Sequence, residues 1–222
     1  MTAVTYLTTS HVVCYNISMI QRMRYLILPL LAFMLFACTP AVKQVPTPNR
    51  IAMAGDSVIW QSMLYGGNYD GYDVDQKVYP GWRAVHAQPR VTQDVATVGT
   101  SPEVLVIEFG HNYATFGADQ RNEVTALAFS PHVNTCVVLV KPHPAPHNTA
   151  VINAYRAHVD SIDAARANTV AVDWSPIVQA HPEYLDEDGV HLNVPPWEYG
   201  VPDQPAAVAF SDMINAGIAT CP

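Results

Sequence analysis

Positive charge is what this chain has least of. Eleven Lys and Arg stand against nineteen Asp and Glu, a formal net charge of -8 over 222 residues. A nucleic-acid partner is held by clusters of Lys and Arg that neutralise phosphates, and no such cluster occurs, so that class of partner is excluded. Cysteine is also scarce, four in all. No apolar run reaches the roughly 20 residues of a membrane-spanning helix. What is present is a chain that is 50% hydrophobic, with 18 prolines and 11 glycines. That composition supports a sizeable core with long loops, and the length allows one domain behind a leader.

The leader is legible. Arg22 and Arg24 precede an apolar run from Tyr25 to Ala37, broken only by Pro29, which ends at Cys38. Such a run suits a secretory signal, residues 1–37. Residues 1–21 contain no Lys or Arg, so the translated product is expected to start at Met23 or Met19. Leu35-Phe36-Ala37-Cys38 resembles a bacterial lipobox, which makes Cys38 the expected lipidation site, although Phe36 is bulky for its position. A plainly cleaved signal or an uncleaved anchor is the competing reading. The expectation is an exported lipoprotein, held to the membrane at Cys38 on the extracytoplasmic face of a bacterial envelope. With Cys38 acylated, Cys136 and Cys221 remain in an oxidising compartment. They are either a structural disulfide, the preferred reading, or two buried thiols.

Residues 38–50 are proline-rich and aperiodic, a tether. The folded domain spans 51–222. Continuous apolar, largely β-branched runs at Ile51–Ala54, Val104–Ile107, Val137–Val140 and Val170–Val172 read as strands buried on both faces. Helical segments lie between them at Ser57–Leu64, Gln120–Phe129 and Ala150–Ala167, with a last one at Asp203–Ala219 and Asp203 as its N-cap. Alternating strands and helices give an α/β domain with a mainly parallel sheet, whose site forms at the carboxyl ends of the strands.

Three segments carry chemistry. Ser57, in Gly55-Asp56-Ser57, follows the first strand and opens the first helix, where the dipole and its own N–H favour negative charge. Taken alone, the triplet is equally a helix cap. Asp188-Gly189-Val190-His191 can set a carboxylate on Nδ1 of the ring and free Nε2 to deprotonate a serine. Asn112 follows the third of these features, a strand end at Phe109, and can aim its amide at an oxyanion, as could the Gly81 N–H in Pro80-Gly81-Trp82. Either could instead be an ordinary turn.

These residues, in this order, resemble the SGNH hydrolase superfamily, the GDSL-type esterases and lipases, over roughly Arg50 to Ala219. Ser57 matches the nucleophile, Gly81 the glycine of the second block, Asn112 the third-block asparagine, and Asp188 with His191 the Asp-x-x-His block. The resemblance implies a three-layer α/β/α flavodoxin-like fold and an oxyanion hole of Ser57, Gly81 and Asn112. It also implies a serine esterase acting on small O-acyl groups, acetyl foremost, without a cofactor or metal. The stretch Val172–Leu192 also resembles the SGNH domains of bacterial cell-surface O-acyltransferases. The chain has no multi-helix acyl-donor segment, so hydrolysis, or transfer with a partner's help, is expected. Tyr113 stands where the family often has Asp, and residues 193–200 lengthen the segment after His191.

Other features compete. Prolines inside His143-Pro144-Ala145-Pro146-His147 prevent helical ligand spacing, so it reads as a loop near the site mouth rather than a metal site. Trp197 and Tyr199 are candidates for an aromatic substrate wall. The expected substrate is an acylated small molecule or glycan. The alternative function is a non-catalytic envelope lipoprotein using the same fold as a glycan-binding module.

Overall fold

The structure, a computed structural model, describes residues 50–69, 71–87, 89, 103–112, 120–131, 134–194 and 203–221. In chain order the elements are β1 (Arg50–Gly55), α1 (Ser57–Leu64), β2 (Asp73–Val78), β3 (Val104–Glu108) and α2 (Arg121–Phe129). They continue with β4 (Cys136–Lys141), α3 (Thr149–Ala165), β5 (Thr169–Asp173), α4 (Ser175–Ala180), a 3₁₀ turn (Pro182–Tyr184) and α5 (Pro205–Ala219). The five strands form one sheet in the order β2-β1-β3-β4-β5, and every pairing is parallel.

Because side chains alternate along a strand, the apolar runs feed two cores at once. Ile51, Met53, Val104, Val106, Val138 and Val140 face one side, where Phe210, Ile214 and Ile218 of α5 and Trp174 cover them. Ala52, Ala54, Leu105, Ile107, Val137 and Leu139 face the other, under Val124 and Leu127 of α2 and Tyr155, Val159 and Ile162 of α3. The result is the expected three-layer α/β/α arrangement. On the first side α5 lies so close that a Cβ on Gly217 would meet Val172 Cγ1 at 2.6 Å.

Strand β2 was not anticipated. Its sequence, Asp-Val-Asp-Gln-Lys-Val, has no apolar run because it is an edge strand with no fully buried residue, whose Val74 and Val78 alone pack on the core. Charged side chains on such an edge discourage further strand pairing. Nor does Asp203 cap α5. Asp203 has φ +63° and the helix begins after Gln204, with no side-chain cap and Pro205 in its first turn. Proline supplies the pre-set φ that the cap was expected to secure. Helix α3 ends at Ala165, two residues early, where Arg166 turns to extended backbone and its guanidinium donates to the Asn168 and Thr135 carbonyls.

Cys136 and Cys221 are bonded, with Cα atoms 5.8 Å apart and 85 residues of chain between them. The bridge ties the start of β4 to the residue after Thr220, just beyond α5. Among the described residues no helix is long and apolar enough to cross a membrane.

Candidate active site

The carboxyl ends of β1, β3 and β5 lead into the loops that carry the chemistry. Strand β1 ends at Gly55, which packs against the end of β3. A Cβ there would collide with the Ile59 side chain and stand 2.8 Å from the Glu108 carbonyl oxygen, so only glycine fits. Asp56 is buried and accepts from the Val58 N–H at 3.2 Å, capping α1. Ser57 is therefore the first residue of α1, with its side chain partly exposed at the helix start. The cap reading of Gly-Asp-Ser therefore falls on Asp56, and Ser57 is left with its side chain free of that duty.

Ser57 Oγ lies 2.8 Å from His191 Nε2, and His191 Nδ1 lies 2.5 Å from Asp188 Oδ2. The three side chains are in series. Asp188 owes its position to its own backbone: Oδ1 accepts from the Val190 N–H at 2.8 Å and the His191 N–H at 3.0 Å. Gly189, at φ +69°, makes that turn possible. Partial burial works against the Asp188 charge, but the bonds from the His191 ring and from the two N–H groups outweigh it and hold the carboxyl below its usual range. The loop is closed by the Asp186 N–H to the His191 carbonyl at 2.9 Å and a β-bridge between Leu185 and Leu192.

Asn112 donates one amide hydrogen from Nδ2 to the Trp82 carbonyl at 2.9 Å, which leaves its second hydrogen for another acceptor. This bond joins the end of β3 to the Pro80-Gly81-Trp82 turn, where Gly81 has φ +76°. Pro80 in turn shares a cavity wall with Ser57 and His191. Trp197, Tyr199, Cys38 and Tyr113 lie outside the described residues. Among those described, no group of three or more His, Cys, Asp or Glu is arranged to hold a metal ion. Within the His143–His147 loop, Pro146 and Ala145 lie beside Gly189.

Three supporting residues escaped sequence reading. Glu108, 1% exposed, places Oε2 3.4 Å from the Asp56 N–H. Burial pushes both the Asp56 and the Glu108 carboxyl upward, and for Glu108 the neighbouring Asp56 charge pushes further. The available signal was an acid inside the apolar run Val104–Phe109. Gln61 stands four residues after Ser57, hence on the same face of α1, and its Oε1 accepts from the Leu192 N–H at 3.1 Å. It links the serine helix to the histidine loop. His111 is buried beside the site, and burial, aided by His191, pushes its ring down to about 3, so it is neutral at ordinary pH.

No family model and no curated protein matches the chain by sequence. Solved structures do match. The C-terminal catalytic domain of peptidoglycan O-acetyltransferase A from Streptococcus pneumoniae superposes with a TM-score of 0.59 at 15% identity, covering 78% of this chain and 94% of that one. A lipase/acylhydrolase from Enterococcus faecalis gives 0.57 at 18% identity, covering 77% and 95%. AlinE4, an SGNH-hydrolase family esterase, gives 0.52 at 14% identity, covering 65% and 86%. The fold is that of the SGNH hydrolases. At these identities the likeness is one of architecture.

Proposed function

We propose that the chain is a serine esterase that hydrolyses or transfers small O-acyl groups, acetyl foremost, with Ser57 as nucleophile, His191 as general base and Asp188 as its orienting carboxylate. The observation that carries this is the unbroken series of Ser57 Oγ, His191 Nε2, His191 Nδ1 and Asp188 Oδ2 at 2.8 and 2.5 Å. His191 takes the Ser57 proton as Oγ attacks the ester carbonyl, and Asp188 stabilises the resulting imidazolium. The oxyanion meets the Ser57 N–H at the start of α1, the second Asn112 amide hydrogen and the Gly81 N–H. His191 then protonates the departing alcohol, and water or an acceptor hydroxyl releases the acyl group by the reverse steps. The solved structures of matching fold support the reading through their names, an O-acetyltransferase domain and a lipase/acylhydrolase.

The test is labelling by a small fluorophosphonate. The wild-type domain takes the label and Ser57→Ala does not; equal labelling of both would remove Ser57 from the mechanism. We further propose that the protein is exported and lipid-anchored at Cys38. The Cys136–Cys221 bond supports an oxidising compartment. Incorporation of radiolabelled palmitate, lost in Cys38→Ala, is the expected result.

A further inference from the structure

Between α1 and the loop Asp186–Val194 lies a cavity of about 540 Å³, bounded by Ser57 and His191. Its position decides which half of an ester it receives. His191 Nε2 must pass its proton to the leaving oxygen, so the alcohol lies on the His191 side of the attacked carbon. Among the described residues the cavity wall takes Asp186, Leu192, Asn193 and Val194 from the histidine loop and Pro80 from the turn that holds Gly81. It is placed to hold the alcohol rather than the acyl group.

The wall has a definite chemistry. Trp60 and Tyr65 give two aromatic rings. Gln61 has its carbonyl oxygen engaged by the Leu192 N–H, which leaves the Nε2 donors. Asn193 donates through Nδ2 to the Glu183 carbonyl, which leaves Oδ1 as acceptor. Asp186 accepts from the Glu187 N–H through Oδ1, which leaves Oδ2. An alkyl alcohol would leave these groups unpaired when it displaced their water, at a cost. Sugar hydroxyls can both donate and accept, and a sugar ring has apolar faces for the aromatic rings. The Asp186 carboxylate, with Glu187 and Asp188 beside it in sequence, opposes an anionic ligand. The volume suits roughly one or two sugar rings.

We propose that this cavity is the alcohol-side subsite and that it takes a neutral carbohydrate whose hydroxyl carries the small acyl ester. The proposal rests on the serine-esterase reading for the direction of the reaction but not for the binding of sugar. Two measurements separate them. The first follows binding of neutral methyl glycosides (gluco, galacto, manno, xylo and N-acetylglucosaminide) and of methyl glucuronide to the Ser57→Ala protein by ligand-observed NMR. At least one neutral glycoside binds, the glucuronide does not, and adding Trp60→Ala weakens binding by about tenfold. The second compares kcat/KM for the acetyl ester of the bound glycoside with that for p-nitrophenyl acetate. The ratio falls by about tenfold in Asp186→Asn, an exposed-loop change that does not threaten the core. Failure of every glycoside to bind overturns the proposal. So does a wild-type preference for long acyl chains that Trp60→Ala abolishes, since the cavity would then be an acyl slot. Sugar binding to Ser57→Ala without any ester turnover by the wild type would keep the carbohydrate site and sink the esterase.

Discussion

The two halves of the candidate site are built in opposite ways. Ser57, the proposed nucleophile, sits on an interior junction: Asp56 is fully buried and Glu108 is 1% exposed. The proposed base sits on a surface loop, where the side chains of His191 and Asp188 are 36% and 44% exposed. Two aspartates of one site are accordingly pushed in opposite directions. Asp56, cut off from solvent, is pushed up by burial against the bonds from Glu108 and the Val58 N–H, whereas Asp188, bonded by the His191 ring and two N–H groups, is held down. The inner half is built by contacts between distant parts of the chain, with Gly55 set against Glu108 by the β1–β3 register. The Asp188–His191 turn of the outer half is made by contacts within a few residues of chain.

The largest effect should come from the outer half. Asp188→Asn keeps an oxygen for the Val190 and His191 N–H groups, so the turn survives, but it removes the anion that orients the ring. A fall in kcat of about 10⁴ is expected, read on p-nitrophenyl acetate. A loss below tenfold would mean that the loop needs only its shape and that His191 is not acting as base. Next comes Asn112→Ala, with a fall in kcat of about 10²–10³ and little change in KM, as for loss of one oxyanion donor. If KM rises instead and kcat holds, Asn112 only ties the Trp82 turn in place.

The inner half is tested through pH. In the unfolded chain both acids lose their protons near pH 4; in the fold Asp56 keeps its proton to about 6 and burial holds Glu108 well above its usual range. The native state therefore binds more protons than the unfolded state above pH 4, so stability must fall as pH rises through 6. The pair's favourable contribution is complete only below about pH 4. Urea midpoints at pH 5 and pH 8 should show the wild type losing on the order of 1–3 kcal/mol. Glu108→Gln, which keeps the shape and ends the mutual repulsion, should flatten that slope. A wild-type midpoint independent of pH would show that the pair is not held protonated.

The same contrast explains what the sequence revealed. The Asp188–His191 pairing was legible because it is made by neighbours: a carboxylate, a glycine at positive φ and a ring three residues on. The buried strands were legible because each feeds both cores and so reads as an unbroken apolar run. Glu108 was not legible as a partner of Asp56, since 52 residues separate them and only the β1–β3 register brings them together. Strand β2 was missed for a related reason, because a half-exposed edge strand has no hydrophobic period to declare it. The cap assigned to Asp203 failed since Pro205 starts α5 without one. The pairing of Cys136 with Cys221 could be preferred over free thiols only by inference from export, and the bond settles that choice.

Gln61 is where the two halves meet, and it gives the smallest and sharpest test. Its amide oxygen is the side-chain bond from α1 to the backbone of the histidine loop, whose own closure is otherwise local. Gln61→Met preserves length and apolar volume but removes the acceptor from the Leu192 N–H. The loop should then sample positions in which Nε2 stands off Oγ, and Ser57 phosphonylation by a small fluorophosphonate should slow by about tenfold. Gln61→Glu restores an acceptor and should recover most of the rate. Because the reagent is too small to fill the cavity, a change in its rate reports serine–histidine alignment rather than substrate contacts. Equal rates in all three proteins would show that the Ser57–His191 bond alone holds the halves in register, and that the exposed loop is as well determined as the buried junction it faces.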